Sequence, residues 1–298
     1  MKKDIVFIIN KHSGTGYSPS VEQKIIDACK RLNINCHLEV TKYKFHASEI
    51  ANQAASSQYP VVFVLGGDGT INEVAQSLVN TSTALGLIPS GSGNGFARHL
   101  GTPFKIKNVL KLLENYKVLE IDTLKINNNL SINVAGIGFD AHIARLFENS
   151  KKRGLKTYSL LAYREFIKYK EFRITAKLNN EEITQNGFFI ALANSSQYGN
   201  NAKIAPNASI VDGLMDVNII SKPALINLPV FISKLFLGKI QSSSLSKLYQ
   251  TKKIEIILDV PVAFHIDGES RNPTNQFTVE IQPKSLKVIV PNVNATGY

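Results

Sequence analysis

The run Val61-Val62-Phe63-Val64-Leu65 leads without a break into Gly66-Gly67-Asp68-Gly69-Thr70, and a helical pattern begins near Ile71. Five consecutive apolar residues read as a strand buried on both faces, which belongs in a largely parallel sheet covered by helices. Glycines at such a strand-to-helix turn let the backbone adopt positive φ and approach a phosphate with no Cβ in the way. The helix N-terminus beyond supplies free amide hydrogens and partial positive charge. Asp68 is a poor direct phosphate contact, but it suits Mg²⁺ or its water shell between protein and triphosphate. Thr70 is expected to cap the helix or to touch phosphate. Alone, Gly-Gly-Asp-Gly is also an ordinary turn; its place after an all-apolar strand raises its meaning.

Alternating strands and helices surround that turn. Strands are expected at 5–9, 36–41, 61–65 and 84–88, with helices at 21–32, 47–55 and 71–79. From about Leu124 the texture changes to short β-rich runs, at 124–126, 130–135, 173–178, 187–193, 215–220, 253–258, 262–266, 277–281 and 286–290. These favour antiparallel structure, interrupted by helices near 157–169 and 225–238. A length of 298 residues with 44% hydrophobic content suits two packed domains with ordinary cores. The expectation is therefore an α/β nucleotide-binding domain over 1–123 and a β-rich antiparallel domain over 124–298, whose extreme C-terminal strand packs back on the first.

No run of about 18 uncharged apolar residues occurs, so no membrane-spanning helix is read. The start, Met1 to Ile9, has the charged and apolar parts of a signal peptide, but Asn10-Lys11-His12 interrupts it early and no small-residue cleavage pattern follows. Cys29 and Cys36 lack metal-site or disulfide-framework spacing, which suits a reducing, cytoplasmic setting. The formal net charge of +11 makes anionic partners plausible. Its densest stretch includes Arg145, Lys151, Lys152, Arg153, Lys156, Arg164, Lys168, Lys170 and Arg173, read either as a solvated helical face or as steering toward a membrane.

A second glycine-rich turn, Ser90-Gly91-Ser92-Gly93-Asn94-Gly95, follows the next strand, and the first strand ends in Asn10-Lys11-His12-Ser13-Gly14-Thr15-Gly16. Turns on adjacent strand ends converge on one crevice, where open α/β sheets bind ligands. Much later, Phe264-His265-Ile266-Asp267-Gly268-Glu269 sets two carboxylates around a glycine turn. Without further context Asp-Gly there is simply a hairpin signal. His12, His46, His99 and His265 have no evident carboxylate partner in sequence and are read as packed or surface residues.

These segments together resemble the diacylglycerol kinase catalytic-domain family, which includes bacterial diacylglycerol and related lipid kinases, sphingosine kinases and ceramide kinases. The resemblance runs over nearly the whole chain: Asn10 to Gly16, Thr41 to His46, GGDGT at 66–70, GSGN at 91–94, Asn133 to Asp140, Ala205-Pro206, Asp212 to Asp216 and Asp267-Gly268-Glu269. It implies ATP and lipid headgroup meeting between the two domains. It also implies nucleotide contacts from Asn10, Lys11, His12, Ser13, Gly14, Thr41, Gly66, Gly67, Asp68, Gly69, Thr70, Ile71, Asn72 and Ser92. Asp68 and Asp122 would organise a catalytic Mg²⁺, and Ser209, Asp212 and Leu214 a second, structural metal position. Glu269 is favoured as the base that takes the acceptor's proton, with Asp267 a close second.

Phosphorylation of a lipid hydroxyl, in phospholipid metabolism, is the leading expectation. Diacylglycerol or a sphingoid or related lipid is the acceptor, and Gly95, where many bacterial relatives have Asp, weakens a specific claim for diacylglycerol. Two other readings compete: an NAD kinase-like enzyme on a soluble substrate, which shares GGDGT, and a weakly catalytic lipid-binding regulator. The segment 223–239 is read as core packing, as the lining of an acyl-chain pocket, or as a face resting on a membrane. Expected partners are a lipid substrate, a peripheral anionic membrane surface and a second copy in a homodimer, with no nucleic acid.

Overall fold

The computed structural model describes residues 4–14, 17–148, 150 and 155–292, with the side chains of 155 and 156 excepted. Thr15, Gly16, Lys151, Lys152 and Arg153 of the motifs above lie outside the described residues. The chain folds as two compact units, one built from the chain up to Asp122 together with Pro283 onward, the other from Thr123–Gln282.

The first unit contains β1 (Asp4–Ile9), α1 (Ser20–Arg31), β2 (Asn35–Val40), α2 (His46–Ser56), β3 (Val61–Gly66), α3 (Asp68–Leu78), β4 (Ala84–Pro89), α4 (Gly95–His99) and α5 (Ile106–Lys111). Its strands pair in parallel in the order β2-β1-β3-β4, with Ile9 beside Leu65 and Leu65 beside Ile88. Every residue of β3 and β4 is buried, as continuous apolar runs flanked by helices require. The core gathers Ile5, Phe7, Ile9, Phe63, Leu65 and Ile88 with Ile25 and Cys29 of α1, and Phe7 stacks on Phe63 at 5.4 Å.

The second unit takes in the end of β5 (Tyr116–Ile126), then β6 (Asn129–Ser131), β7 (Val134–Gly138), α6 (Phe139–Glu148), α7 (Leu155–Lys168), β8 (Phe172–Leu178), β9 (Glu181–Gly187), β10 (Phe189–Ala193), β11 (Met215–Ile220), α8 (Leu228–Phe236), β12 (Ser246–Thr251), β13 (Lys253–Ile266) and most of β14 (Glu269–Pro291). Its strands pair antiparallel along β12-β11-β10-β7-β13-β14, and β8 joins β13 and β9. One core lies among Leu124, Ile137, Ile174, Leu192, Val217, Ile256 and Phe277. Another, around Phe166, Phe188, Phe189 and Phe231, sits beneath α7 and α8.

Several expectations change. The runs at 253–258 and 262–266 are one strand, β13, whose register shifts between Ile257 and Phe264, where Pro261 has no N–H for the ladder. The runs at 277–281 and 286–290 are likewise one strand, β14, which passes through Lys284 at φ 50°. Strands β9 and β12 carry no apolar run, being polar and at sheet edges, and the first residues of α6 belong to the Ile137–Asp140 motif. The helix expected at 225–238 is a 3-10 turn, Leu225–Asn227, followed by α8.

Candidate active site

In the first unit the C-terminal ends of β1, β3 and β4 bring three turns together. Ser90 N–H donates to Gly66 O at 2.9 Å, and Asn10 N–H to Leu65 O at 3.0 Å. The glycines permit the approach: a Cβ on Gly91 would stand 2.8 Å from Gly67 Cα, closer than real Cβ atoms come. Asn94, held in the left-handed region at φ 48°, pins its own turn by accepting from Gly91 N–H at 2.9 Å and donating to Gly91 O at 2.7 Å. Its N–H donates to Asp68 Oδ2 at 2.9 Å, so the two glycine turns share a carboxylate.

Asp68 is the first residue of α3, whose first amides have no partner within the helix. Thr70 does not cap that helix; its hydroxyl accepts from Asn10 Nδ2 at 2.9 Å. Asn10 in turn accepts from the His12 amide at 3.0 Å, and Ser13 Oγ lies 3.5 Å from Ser90 Oγ. Thr41 N–H donates to Ile9 O at 3.0 Å, which sets it beside Asn10. Ser92 is exposed on the second turn. Lys11 is turned toward Glu22 at 2.8 Å, and that hydrogen bond raises its pKa while holding the Glu22 carboxyl below its usual range.

Three expected residues are buried. Ile71 has its side chain in the core and its N–H on Gly67 O. Asn72 is buried and accepts from Gln76 at 2.7 Å. Asp122 is buried and accepts from Lys284 N–H at 2.8 Å, so its visible part is to hold the bend in β14. Among the described residues no three His, Cys, Asp or Glu side chains cluster as metal ligands. Asp68 remains a hard oxygen donor suited to Mg²⁺ through its water shell.

In the second unit, Ile266 and Glu269 pair across the two-residue turn Asp267-Gly268. Both turn residues have positive φ, 50° and 91°, the conformation for which Asp-Gly is favoured in tight hairpins. The two carboxylates differ completely. Asp267 is buried and accepts from Ser131 Oγ at 2.5 Å, Ile132 N–H at 3.0 Å and Asn133 N–H at 3.1 Å. Glu269 is partly exposed and meets only a charged neighbour in these contacts, Arg271 at 3.3 Å. Asp267 therefore anchors the hairpin, and Glu269 presents the accessible carboxylate.

Sequence reasoning dismissed His265 and gave Asp140 no role. His265 is buried, accepts from Gly268 N–H at 3.2 Å through Nδ1, and sets Nε2 3.4 Å from Asp140 Oδ2. Tyr198 donates to the same oxygen at 2.7 Å, and burial followed by the Asp140 charge pushes the Tyr198 hydroxyl well above its ordinary range. Gly136 makes room, since a Cβ there would lie 2.0 Å from Asp140 Oδ2. The signal was present in Ile137-Gly138-Phe139-Asp140, but its partner lies 125 residues away.

The loop before β11 carries Ser209, Asp212 and Leu214. Asp212 accepts from Leu214 N–H at 3.0 Å across Gly213, at φ 74°. Nearby Asp216 is pushed up to about 6, chiefly by burial; a Gln250 hydrogen bond opposes the shift and the Asp212 charge adds to it.

The family described as "Diacylglycerol kinase catalytic domain" matches residues 4–126, and "YegS C-terminal NAD kinase beta sandwich-like domain" matches residues 133–290. A protein of Salmonella arizonae named "Probable lipid kinase YegS" is 30% identical over 267 residues, covering 87% of this chain and 87% of that protein. A "Probable lipid kinase YegS-like" of Shewanella frigidimarina is 27% identical over 77% of this chain and 76% of its own. The fold is also that of a crystal structure described as a diacylglycerol kinase from Bacillus anthracis, with a TM-score of 0.77, 21% identity and 97% of each chain covered.

Proposed function

We propose that this chain, which belongs to the family joining a diacylglycerol kinase catalytic domain to a YegS-type C-terminal domain, is an ATP-dependent lipid kinase. The observation that carries the reading is the locking of the two glycine turns, through Gly67 against Gly91 and Asp68 against Asn94, at the mouth of an α-helix. That arrangement offers backbone amides and a hard carboxylate to a polyphosphate.

The amides of Asp68, Gly69 and Thr70 bind phosphate oxygens, and Asn10, Ser13, Thr41 and Ser92 line the same strand ends. Asp68 would hold Mg²⁺ or its water shell, and the ion would supply neutralisation of charge on the phosphates. Asp122, which accepts from Lys284 N–H, supports the bend in β14. Glu269 takes the proton of the acceptor hydroxyl as its oxygen bonds to the γ-phosphorus and the bond to the β-phosphate oxygen breaks. Arg271 holds Glu269, and Asp267 fixes the turn beneath it. Ser209, Asp212 and Leu214 would hold a second cation, which would brace the loop before β11. The acceptor is diacylglycerol or a sphingoid or related lipid, met at a membrane surface.

Purified protein incubated with labelled ATP, Mg²⁺, diacylglycerol, sphingosine, ceramide, acylglycerol and NAD tests this. Label is expected on a lipid, and Asp68→Asn is expected to abolish transfer. Label on NAD alone, or on nothing, rejects the reading, and full turnover by Asp68→Asn rejects the role of that carboxylate.

A further inference from the structure

We infer that Leu225–Asn227 and α8, with the outer face of α7 beside them, form the surface by which this chain lies on an anionic lipid bilayer. The biology rests on the lipid-kinase reading; the surface itself rests on its own chemistry.

Helix α8 anchors inward through buried Phe231, with Leu228 and Leu235 packed on the same core. A surface helix anchored this way ordinarily turns polar residues outward. Here the outward residues are also apolar: Leu225, Ile226, Val230, Ile232, Phe236 and Leu237 are all exposed, Ile226 by 84% and Leu237 by 66%. Helix α7 adds exposed Leu160, Tyr163 and Ile167. The two patches adjoin, since Phe166 and Ile167 line one open pocket with Pro223, Ala224 and Leu225, and Lys222 Nζ donates to Tyr169 O at 2.7 Å. An apolar face of this extent on a water-exposed helix marks an interaction surface.

Charge selects the occupant. Between Val217 and Ile254 there is no Asp or Glu, while Lys222, Lys234 and Lys239 fall on or beside the two helices; Glu171, which lines the same pocket, accepts from Lys222 N–H at 2.8 Å. On α7, Glu165 is turned onto His142 at 3.0 Å and Lys168 at 3.6 Å. Apolar side chains flanked by lysines match acyl chains beneath anionic headgroups. A symmetric contact with a second copy would instead set lysines against lysines. No helix among the described residues is long and apolar enough to cross a membrane, so α8 lies in the interface.

The test is sedimentation with vesicles of phosphatidylglycerol and phosphatidylcholine. Wild type is expected to bind, and Ile226→Glu with Leu237→Glu to bind at least tenfold more weakly at unchanged thermal unfolding. Lys239→Glu should bind a few-fold more weakly at low salt, with the deficit vanishing at high salt. Ile226→Trp should bind at least as well as wild type. Should the double variant fail to fold, Ile226→Ser carries the same comparison. Wild type that ignores vesicles, a double variant that binds like wild type, or a double variant that turns a dimer into a monomer would each overturn the assignment. Phosphorylation of short-chain acceptors free in solution separates the two readings. If no lipid is phosphorylated but vesicle binding follows the variants, the kinase falls and the surface stands. If lipid is phosphorylated but the variants bind normally, the surface falls and the kinase stands.

Discussion

The two units build their candidate sites from opposite materials. In the first, backbone makes the site: glycines let Gly67 and Gly91 approach, and side chains such as Asn94 and Asp68 only fasten the turns. In the second, side chains make it: buried Asp267 gathers donors from Ser131, Ile132 and Asn133, more than 130 residues earlier. A backbone site tolerates exchange of many neighbours but not an added Cβ. A side-chain site tolerates shape changes but not the loss of one charge.

The sharpest way to test that contrast is Glu269→Gln, expected to lower kcat by about 10²–10⁴-fold with ATP KM and thermal unfolding unchanged. A loss under tenfold would remove Glu269 as the base. Asp267→Ala should instead act on the fold, since it leaves buried donors unsatisfied, at a cost of about 3–5 kcal/mol in denaturant unfolding.

The units should also respond oppositely to pH. Asp216 of the second unit is raised to about 6 by burial, so its folded form prefers to be neutral. Its contribution is fully present below the unfolded carboxyl range and is lost as pH rises toward 6, by no more than about 3 kcal/mol. His99 of the first unit is lowered to about 4 by burial. Its contribution is present above the unfolded histidine range and is lost as pH falls from about 6.5 to 4, by a similar amount. In urea unfolding between pH 4 and 7, Asp216→Asn should remove a decline and His99→Gln a rise; parallel curves would refute both. Smaller again, Gly91→Ala should cost about 1–3 kcal/mol and raise ATP KM, while leaving vesicle binding unaltered. Thr70→Val, which removes the acceptor for Asn10, should cost about 1 kcal/mol.

The same contrast explains what could be read beforehand. Glycine turns after apolar strands are local patterns, so β1 to β4 and the Gly66–Thr70 turn were legible to within a residue or two. The division of labour between Asp267 and Glu269 was not, because it depends on Ser131 and Asn133 rather than on neighbours in sequence. His265 looked like a lone histidine for the same reason: Asp140 reaches it only through pairing of β7 with β13. The breaks at Pro261 and Pro283-Lys284 imitated turns, since long strands absorb such residues through bulges that only partner strands reveal.

Strand β14 has a consequence for synthesis. The first unit takes its later portion from Pro283 onward, and Val288 pairs with Leu85 of β4. All six residues of β4 are buried in the finished protein. On the ribosome they emerge long before that partner, with the whole of Thr123–Gln282 to be made in between. At about 5–20 residues per second, this apolar edge waits on the order of ten seconds or more for its partner. During that interval it is an open template for pairing with another nascent chain, which makes slow translation an expected hazard for this fold.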